Sequence, residues 1–460
     1  MSTTGATTIA DMDRNSLMHP FTHIASHLDT GPKVMQKSNG IYVTDNQSKE
    51  YIDGISGLWC VNAGWGRHEI IDAITEQAHQ MAYYHSFSSM GNEPSIQLAD
   101  KLVPIAPGNM SHVFFGQSGS DANDTIIKLV WYYNNVLGRP EKKKIISRWR
   151  SYHGVTIAVA GLTGMASVHN GFDVPLPFIR HVSTPYYYRN AEAGMSEEEY
   201  SAHLADELEQ LILDEGPDTV GAFIAEPMIG SGGVITPPKG YFQAIQAVLC
   251  KYDVLMIADE VICGFGRCGT MFGSESFGIT PDLVSIAKGM TSGYMPMSGA
   301  FVSNEIWDVM VEGSPSFGAF AHGYTHSGHP MSAAAALANL AIFERENLVE
   351  KSATMGAYLH RRMREEFADR PYVGDVRGKG MAVAVEFVVD KATKEPFDLN
   401  LALAGKMAAF CMEEGLIARA LPYLTAISLA PPLVMTEAEC DEMLSRFGRA
   451  LIRWEASLSN

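Results

Sequence analysis

Two ionisable residues close short apolar runs in the middle of the chain. Val254-Leu-Met-Ile-Ala-Asp259 ends on a carboxylate, and Asp282-Leu-Val-Ser-Ile-Ala-Lys288 ends on an amine. In a parallel sheet, the carboxyl ends of neighbouring strands converge on one crevice, where ligands bind. An acid and an amine delivered there suit an aldehyde cofactor built on a pyridine ring. The amine attacks the carbonyl, and the acid keeps the ring nitrogen protonated. A lysine in a dry pocket loses its proton readily and becomes a nucleophile toward carbonyls. Gly289, Gly293 and Gly299 leave space beside Lys288 for a bulky ligand. Taken singly, Lys288 could equally snorkel to solvent, and Asp259 could cap a helix or bind Mg²⁺. A nucleotide-type magnesium site would need a G-x-x-x-x-G-K-[ST] loop, which the chain lacks.

Other motifs divide between chemistry and scaffold. Gly116-Gln-Ser-Gly-Ser-Asp-Ala-Asn-Asp124 lies between a strand-like and a helix-like run. Backbone N–H groups at such a helix start, with two serine hydroxyls, form a site for a phosphate. Ser118, Ser120 or Asp121 could also serve as a plain N-cap. Tyr152, in Tyr152-His-Gly154, could stack on a flat ring or simply fill core. Gly264-Phe-Gly-Arg-Cys-Gly269 matches a dinucleotide fingerprint, but Gly273, Gly278 and Pro281 follow where a helix should begin, so that reading is rejected. His322, His326 and His329 are separated by Gly323 and Gly328 and followed by Pro330, which predicts a polar loop rather than a helical metal triad.

These groups need a scaffold. Strand-like runs at His112–Phe115, Lys144–Ser147, Gly221–Ala225, Val254–Ala258 and Leu283–Ala287 alternate with amphipathic stretches such as Ala202–Leu213 and Tyr241–Tyr252. That alternation predicts an α/β fold with a mainly parallel sheet between helices. Further helices are expected at Ser332–Glu344, Thr354–Phe367, Leu403–Glu414 and Glu437–Leu458, with a sheet edge at Met381–Val389. Strands are expected at Gly40–Thr44 and Glu50–Ile52. With 460 residues, more than one domain is expected. The expected division is an N-terminal segment (1–60) packing with a C-terminal α+β part (331–460) as a discontinuous small domain, around a large ligand-binding domain (61–330). The net charge of -18 repels phosphate backbones and argues against nucleic acid. No apolar run is long enough to span a bilayer, and Met1–Pro20 lacks the basic-then-apolar pattern of a secretory signal. The six scattered cysteines read as the reduced thiols of a cytoplasmic protein.

Together these motifs resemble the class III (omega) aminotransferases, pyridoxal-phosphate enzymes of the aspartate aminotransferase superfamily, fold type I. The resemblance runs almost the whole length, through Gly57-Leu-Trp-Cys-Val-Asn62, Ser118-Gly-Ser-Asp-Ala-Asn-Asp-Thr125, Ala225-Glu-Pro227, Ala258-Asp-Glu-Val-Ile-Cys-Gly-Phe-Gly-Arg267, His322-Gly-Tyr-Thr325 and Ser428-Leu-Ala-Pro-Pro432. It implies pyridoxal 5'-phosphate as cofactor and a seven-stranded sheet in the large domain. Lys288 would anchor the cofactor and shuttle protons. Asp259 would pair with the pyridine nitrogen, supported by Glu226, and Val261 and Tyr152 would sandwich the ring. Ser118, Gly119 and Ser120 would hold the phosphate, joined by Thr325 of the partner in an obligate homodimer, possibly assembled into a tetramer.

For substrate, the resemblance implies an apolar amine pocket at Trp59, Phe21, Phe87 and Tyr152, and a mobile Arg419 that clamps a keto-acid carboxylate. Three departures from the family pattern stand out. Asp121 replaces a usual glutamate, Met228-Ile-Gly-Ser231 replaces Val-Gln-Gly-Ala, and Ser231 stands where ornithine- and aminobutyrate-type relatives often carry glutamate. The expected reaction is ping-pong transfer from a primary amine or omega-amino acid to pyruvate. Alternatives are a 2-oxoglutarate-dependent aminotransferase, an aminomutase or decarboxylating transaminase on the same scaffold, or an idle binding protein.

Overall fold

The computed structural model describes residues 7–458. Its strands are β1 (Met35–Asn39), β2 (Tyr42–Asp45), β3 (Glu50–Asp53), β4 (Met110–Gly116), β5 (Lys144–Arg148), β6 (Ile179–Val182), β7 (Val220–Ala225), β8 (Leu255–Asp259), β9 (Leu283–Ile286), β10 (Ser298–Ser303), β11 (Val373–Lys379), β12 (Ala382–Asp390), β13 (Glu395–Pro396), β14 (Leu416–Ile417), β15 (Arg419–Ala420) and β16 (Ala426–Leu429). The seven-stranded sheet has the order β4-β10-β9-β8-β7-β5-β6. Pairings from β9 through β6 are parallel, and β10 alone runs against both neighbours. Every residue of β7, β8 and β9 is buried. Continuous apolar runs of this kind suit a parallel sheet covered on both faces.

Two smaller sheets bring the chain ends together. β3 pairs in parallel with β14 through Ile52–Leu416 and Asp53–Ile417, so the N-terminal strands share a sheet with residues near the C-terminus. The run at Met381–Val389, expected at a sheet edge, is interior. β12 pairs with β11 on one side and β16 on the other, and its first seven residues are buried. The run Ala-Val-Ala-Val has no polar alternation because both of its faces are covered, and its sequence alone does not reveal what flanks it. The helix at Glu437–Leu458 matches its expected bounds, whereas β1, β6, β10, β11, β13, β14, β15 and β16 have no place among the expected strands. The first six and last two residues of the expected N- and C-terminal segments lie outside the described residues.

The Gly264–Gly269 segment is a turn that leads only to the five-residue helix Gly273–Phe277. Its Arg267 is buried and donates to the carbonyls of Met381 and Pro431, to Ser56 Oγ and to Asn62 Oδ1. Four acceptors from three distant segments make this arginine a staple for the interior, consistent with rejecting the dinucleotide reading. His322, His326 and His329 lie in a loop and its junction with helix Pro330–Glu346, as expected. All six cysteines are free thiols, and no helix among the described residues is long and apolar enough to cross a membrane.

Candidate active site

A cavity of about 460 Å³ sits at the carboxyl ends of the central strands, lined in part by Ser118, Gly119, Ser120, Asp259, Val261 and Lys288. β8 delivers Asp259 as its last residue. Lys288 follows β9 by two residues and has φ +43°, a left-handed backbone that a side-chain-bearing residue adopts at a cost. Burial is the largest influence on its amine and holds its pKa below the usual lysine value. Cys60, Asp259 and Glu226 pull the other way. The outcome is an amine more readily neutral than one in water.

Asp259 is buried and held from two sides. His153 Nδ1 donates to Oδ2 at 2.7 Å, Asn123 Nδ2 donates to the same oxygen at 2.9 Å, and the Val261 N–H donates to Oδ1 at 3.1 Å. Burial alone would raise its pKa, but the His153 hydrogen bond and charge, with the Asn123 and Val261 donors, bring it below the ordinary carboxylate value. The site therefore presents an anion rather than an acid. A carboxylate only accepts, so its histidine partner carries the proton on Nδ1. His153 Nε2 and Asn123 Oδ1 are buried without partners. Asn123 lies within the Ser118–Thr125 motif and His153 within Tyr152-His-Gly154, but nothing local marks either as functional. Their link to Asp259 spans 106 and 136 positions, a separation no local pattern encodes.

Glu226, one residue beyond β7, bridges two loops. Oε1 accepts from the Tyr152 N–H and Oε2 from the Gly230 N–H, both at 2.9 Å, and burial raises its pKa. It thereby fixes Tyr152 on one side of the site and the Met228–Ser231 segment on the other.

The helix Gly119–Val136 forms the remaining wall. Ser118 is its N-cap, accepting from the Asp121 N–H, while Asp121 Oδ2 accepts from the N–H groups of Gln117 and Ser118. The Ser118 hydroxyl is thus first a cap, and Asp121 completes a capping box despite being shorter than glutamate. Among the described residues, the N–H groups of Gly119 and Ser120 have no partner, because the cap and capping box satisfy only the neighbouring N–H groups of Gln117, Ser118 and Asp121. Gly119 is needed sterically: a Cβ there would lie 3.0 Å from both Val261 methyls. An unpaired pair of N–H donors at the positive end of an eighteen-residue helix suits a phosphate.

A second, larger chamber of about 1100 Å³ shares Tyr152 and Lys288 with the first and is lined by Phe21, Trp59, Ser231 and Arg419 among others. Phe21 meets Tyr152 edge-on at 6.3 Å. Its short segment is tied down by His19 and His27, whose Nε2 atoms reach the two oxygens of Asp13 at 2.7 and 2.8 Å. Trp59 is buried, and its indole N–H has no partner. Arg419, in β15, has no carboxylate within ion-pairing distance among the described residues, and burial lowers its pKa. Ser231 is buried in a loop fixed from behind by Arg377, which donates from Nε and Nη2 to the Gly233 carbonyl at 2.9 and 2.6 Å. Arg377 also pairs with Glu386 at 2.7 Å and Asp375 at 3.0 Å.

Two expected site residues are not brought to either cavity by this chain. Phe87 packs its ring near Gly323 and is exposed, and Thr325 is exposed on the same surface, its carbonyl accepting from the Tyr83 hydroxyl at 2.7 Å. The Ser86 hydroxyl bonds the Ser327 carbonyl nearby, so the 83–87 and 322–328 segments form one face.

Known proteins are similar to this chain in sequence and fold. The Aminotransferase class-III family model matches residues 24–451. The chain is 51% identical to a diaminobutyrate–2-oxoglutarate transaminase of Halomonas elongata, over 96% of this chain and 95% of that one. It is 44% identical to a chloroplastic gamma aminobutyrate transaminase of Solanum lycopersicum, over 97% of this chain and 85% of that one. The structure superposes on an omega transaminase from Pseudomonas jessenii in complex with PMP, with a TM-score of 0.96 and 45% identity, over 98% of this chain and 99% of that one.

Proposed function

The chain belongs to the class III aminotransferases of fold type I, and on that premise we propose that it uses pyridoxal phosphate to move the amino group of a primary amine or omega-amino acid to pyruvate. The residues suit that cofactor. An amine whose proton is destabilised, a buried carboxylate kept anionic, and two unpaired N–H groups at a helix start surround one cavity of about 460 Å³. Lys288 would anchor the cofactor, Asp259 would face its ring nitrogen, Gly119 and Ser120 would hold its phosphate, and Val261 and Tyr152 would flank the ring. The bound cofactor supplies a carbonyl that accepts the amino group and a ring that withdraws electrons from the adjacent carbon. Lys288, with its own proton readily lost, would take the proton of the carbon bearing the donor's amino group onto its Nζ and return it, giving general acid–base catalysis within one side chain. Asp259 stays anionic throughout because His153 and Asn123 hold it.

The observation that carries the choice of acceptor is Arg419. Among the described residues it is the only arginine lining the two cavities, and none of their carboxylates lies within ion-pairing distance of it. One guanidinium matches the single carboxylate of pyruvate by a two-pronged contact, whereas 2-oxoglutarate presents two carboxylates. Ser231 is consistent with this, since no glutamate stands there to retire Arg419 when an uncharged amine binds. The 51% identity to a diaminobutyrate–2-oxoglutarate transaminase favours the second reading, in which 2-oxoglutarate is the acceptor.

Phe87 and Thr325 share one exposed face away from this chain's own cavities, which supports a homodimer in which each subunit completes its partner's site. A panel of primary amines assayed with pyruvate and with 2-oxoglutarate tests the proposal. Alanine formed faster than glutamate supports it, and a preference for 2-oxoglutarate across the panel overturns the pyruvate assignment. Carbon dioxide release without alanine would instead identify a decarboxylating reaction.

A further inference from the structure

We infer that Asp13, His19 and His27 form a binding site for a divalent transition metal of the zinc class, separate from the cofactor cavity. This site stands apart from the reaction proposed above. Asp13 lies in the helix Ile9–Ser16 and His27 in the helix Ile24–Thr30, with His19 in the turn between them. His19 Nε2 lies 2.7 Å from one oxygen of Asp13, and His27 Nε2 lies 2.8 Å from the other. The two imidazole centroids are 4.5 Å apart, and one ligand atom from each of the three residues falls within 4.8 Å of the others. The side chains of Asp13 and His27 keep only 11% and 13% exposure, while His19 keeps 30% and leaves one side open. His23 stays outside the group, because its Nδ1 caps the second helix by accepting from the Ser26 N–H at 3.2 Å.

Two imidazole nitrogens and one carboxylate oxygen suit zinc and its neighbours in the first transition row, whereas magnesium and calcium prefer oxygen alone. A tetrahedral ion with bonds of about 2.0–2.2 Å sets its ligand atoms roughly 3.3–3.6 Å apart. The Asp13 carboxylate would withdraw by about half an ångström to admit it. Each neutral imidazole then binds through Nε2 and keeps its one proton on Nδ1. His19 and His27 also line a cavity of about 330 Å³, which leaves room for the water that completes a four-ligand set. Arg14 lines that cavity too, but its guanidinium pairs with Asp11 at 3.7 Å. Neither helix has a residue buried within this chain, and helices of eight and seven residues are marginal by themselves. A metal bridging them would fasten the segment that carries Phe21 to its place 6.3 Å from Tyr152, on the rim of the larger chamber. The ion acts there as a staple and takes no part in the reaction.

Tag-free holoenzyme, stripped of metal by dialysis against a chelator, is titrated with Zn²⁺ alongside the variants Asp13→Asn and His27→Gln. The expected result is one Zn²⁺ per chain with a dissociation constant of about 1 μM or tighter, weakened by about 100-fold or more in each variant. Far-UV circular dichroism and cofactor absorbance check that the variants are folded. His19→Gln, at the most exposed ligand, gives the same reading should either of them fail to fold. Co²⁺ in place of Zn²⁺ should give the visible spectrum of a four-coordinate ion in the wild type and in none of the variants. Amide exchange across residues 13–27 should slow by about ten-fold on zinc binding, in the wild type alone. Wild-type affinity no better than that of the variants, or stoichiometric zinc that persists in all of them, overturns the inference and leaves the cluster as two hydrogen bonds. Zinc held by these residues without slower exchange overturns the staple. None of these readouts depends on amino transfer.

Discussion

Replacing Arg419 with leucine separates the two halves of the proposed reaction. The guanidinium lines the substrate chamber, has no carboxylate partner, and is held in place by β15 pairing with β16 through Arg419–Ser428. A fork pairing with a carboxylate forms two charge-assisted hydrogen bonds, each contributing about 1.5–3 kcal/mol when shielded. Arg419 is only partly buried, so solvent screening reduces the sum, and about 1.5–3 kcal/mol for the whole contact is a reasonable scale. That corresponds to a loss of about 10- to 150-fold in kcat/KM for pyruvate. The assay is single-turnover kinetics on the two half-reactions, one with an alkylamine and one with pyruvate. Arg419→Leu should slow the pyruvate half by that factor and leave the alkylamine half within about two-fold, because an uncharged tail asks nothing of a guanidinium. Arg419→Lys should fall between, keeping charge but losing the planar fork. Unchanged pyruvate kinetics, or equal losses in both halves, would refute the assignment of Arg419 as the carboxylate clamp.

Further outcomes follow from the same geometry. His153→Leu removes the shortest bond to Asp259 and should raise the cofactor dissociation constant about 10- to 150-fold, measured by equilibrium dialysis; unaltered affinity would show that Asp259 needs no histidine. Gly119→Ala places a methyl 3.0 Å from both Val261 methyls and should cost about 1–3 kcal/mol in cofactor affinity, recovered in part by adding Val261→Ala. Burial lifts the Glu260 pKa from 4.5 to about 7, against the Ser274 and Gly273 donors that lower it. The folded state then binds this proton more tightly than the unfolded state does. Its stabilising contribution is complete below about pH 4.5 and disappears as the pH rises through 7, a change of about 3 kcal/mol. Chemical denaturation from about pH 5 to about pH 8 should show the wild type losing that much stability relative to Glu260→Gln, and parallel profiles would count against it. Arg377→Met should lower stability by about 3–5 kcal/mol, since it leaves Glu386 buried with one fewer partner. It should also loosen the Ser231 loop, readable as faster amide exchange at Gly232 and Gly233.

Much of this site can be read along the chain because its principal residues sit at strand ends. Asp259 and Lys288 follow apolar runs that can only be interior strands, and Ser118 with Asp121 marks a helix start by local hydrogen bonding alone. Residue type and spacing suffice there, since period, capping and turn chemistry act over a few positions. What surrounds those residues depends on contacts across hundreds of positions. The interior place of β12, the Arg267 staple, the His153 and Asn123 grip on Asp259, and the Arg377 support behind Ser231 each join segments whose separation carries no local signal. That an amine and an acid meet at the mouth of a parallel sheet is legible in the residue order, because buried strands and capped helices are written in local patterns. The three-dimensional packing sets the acid's anionic state and leaves Arg419 facing its chamber with no carboxylate within ion-pairing distance among the described residues. Charge state and cavity shape are set by which distant groups pack together.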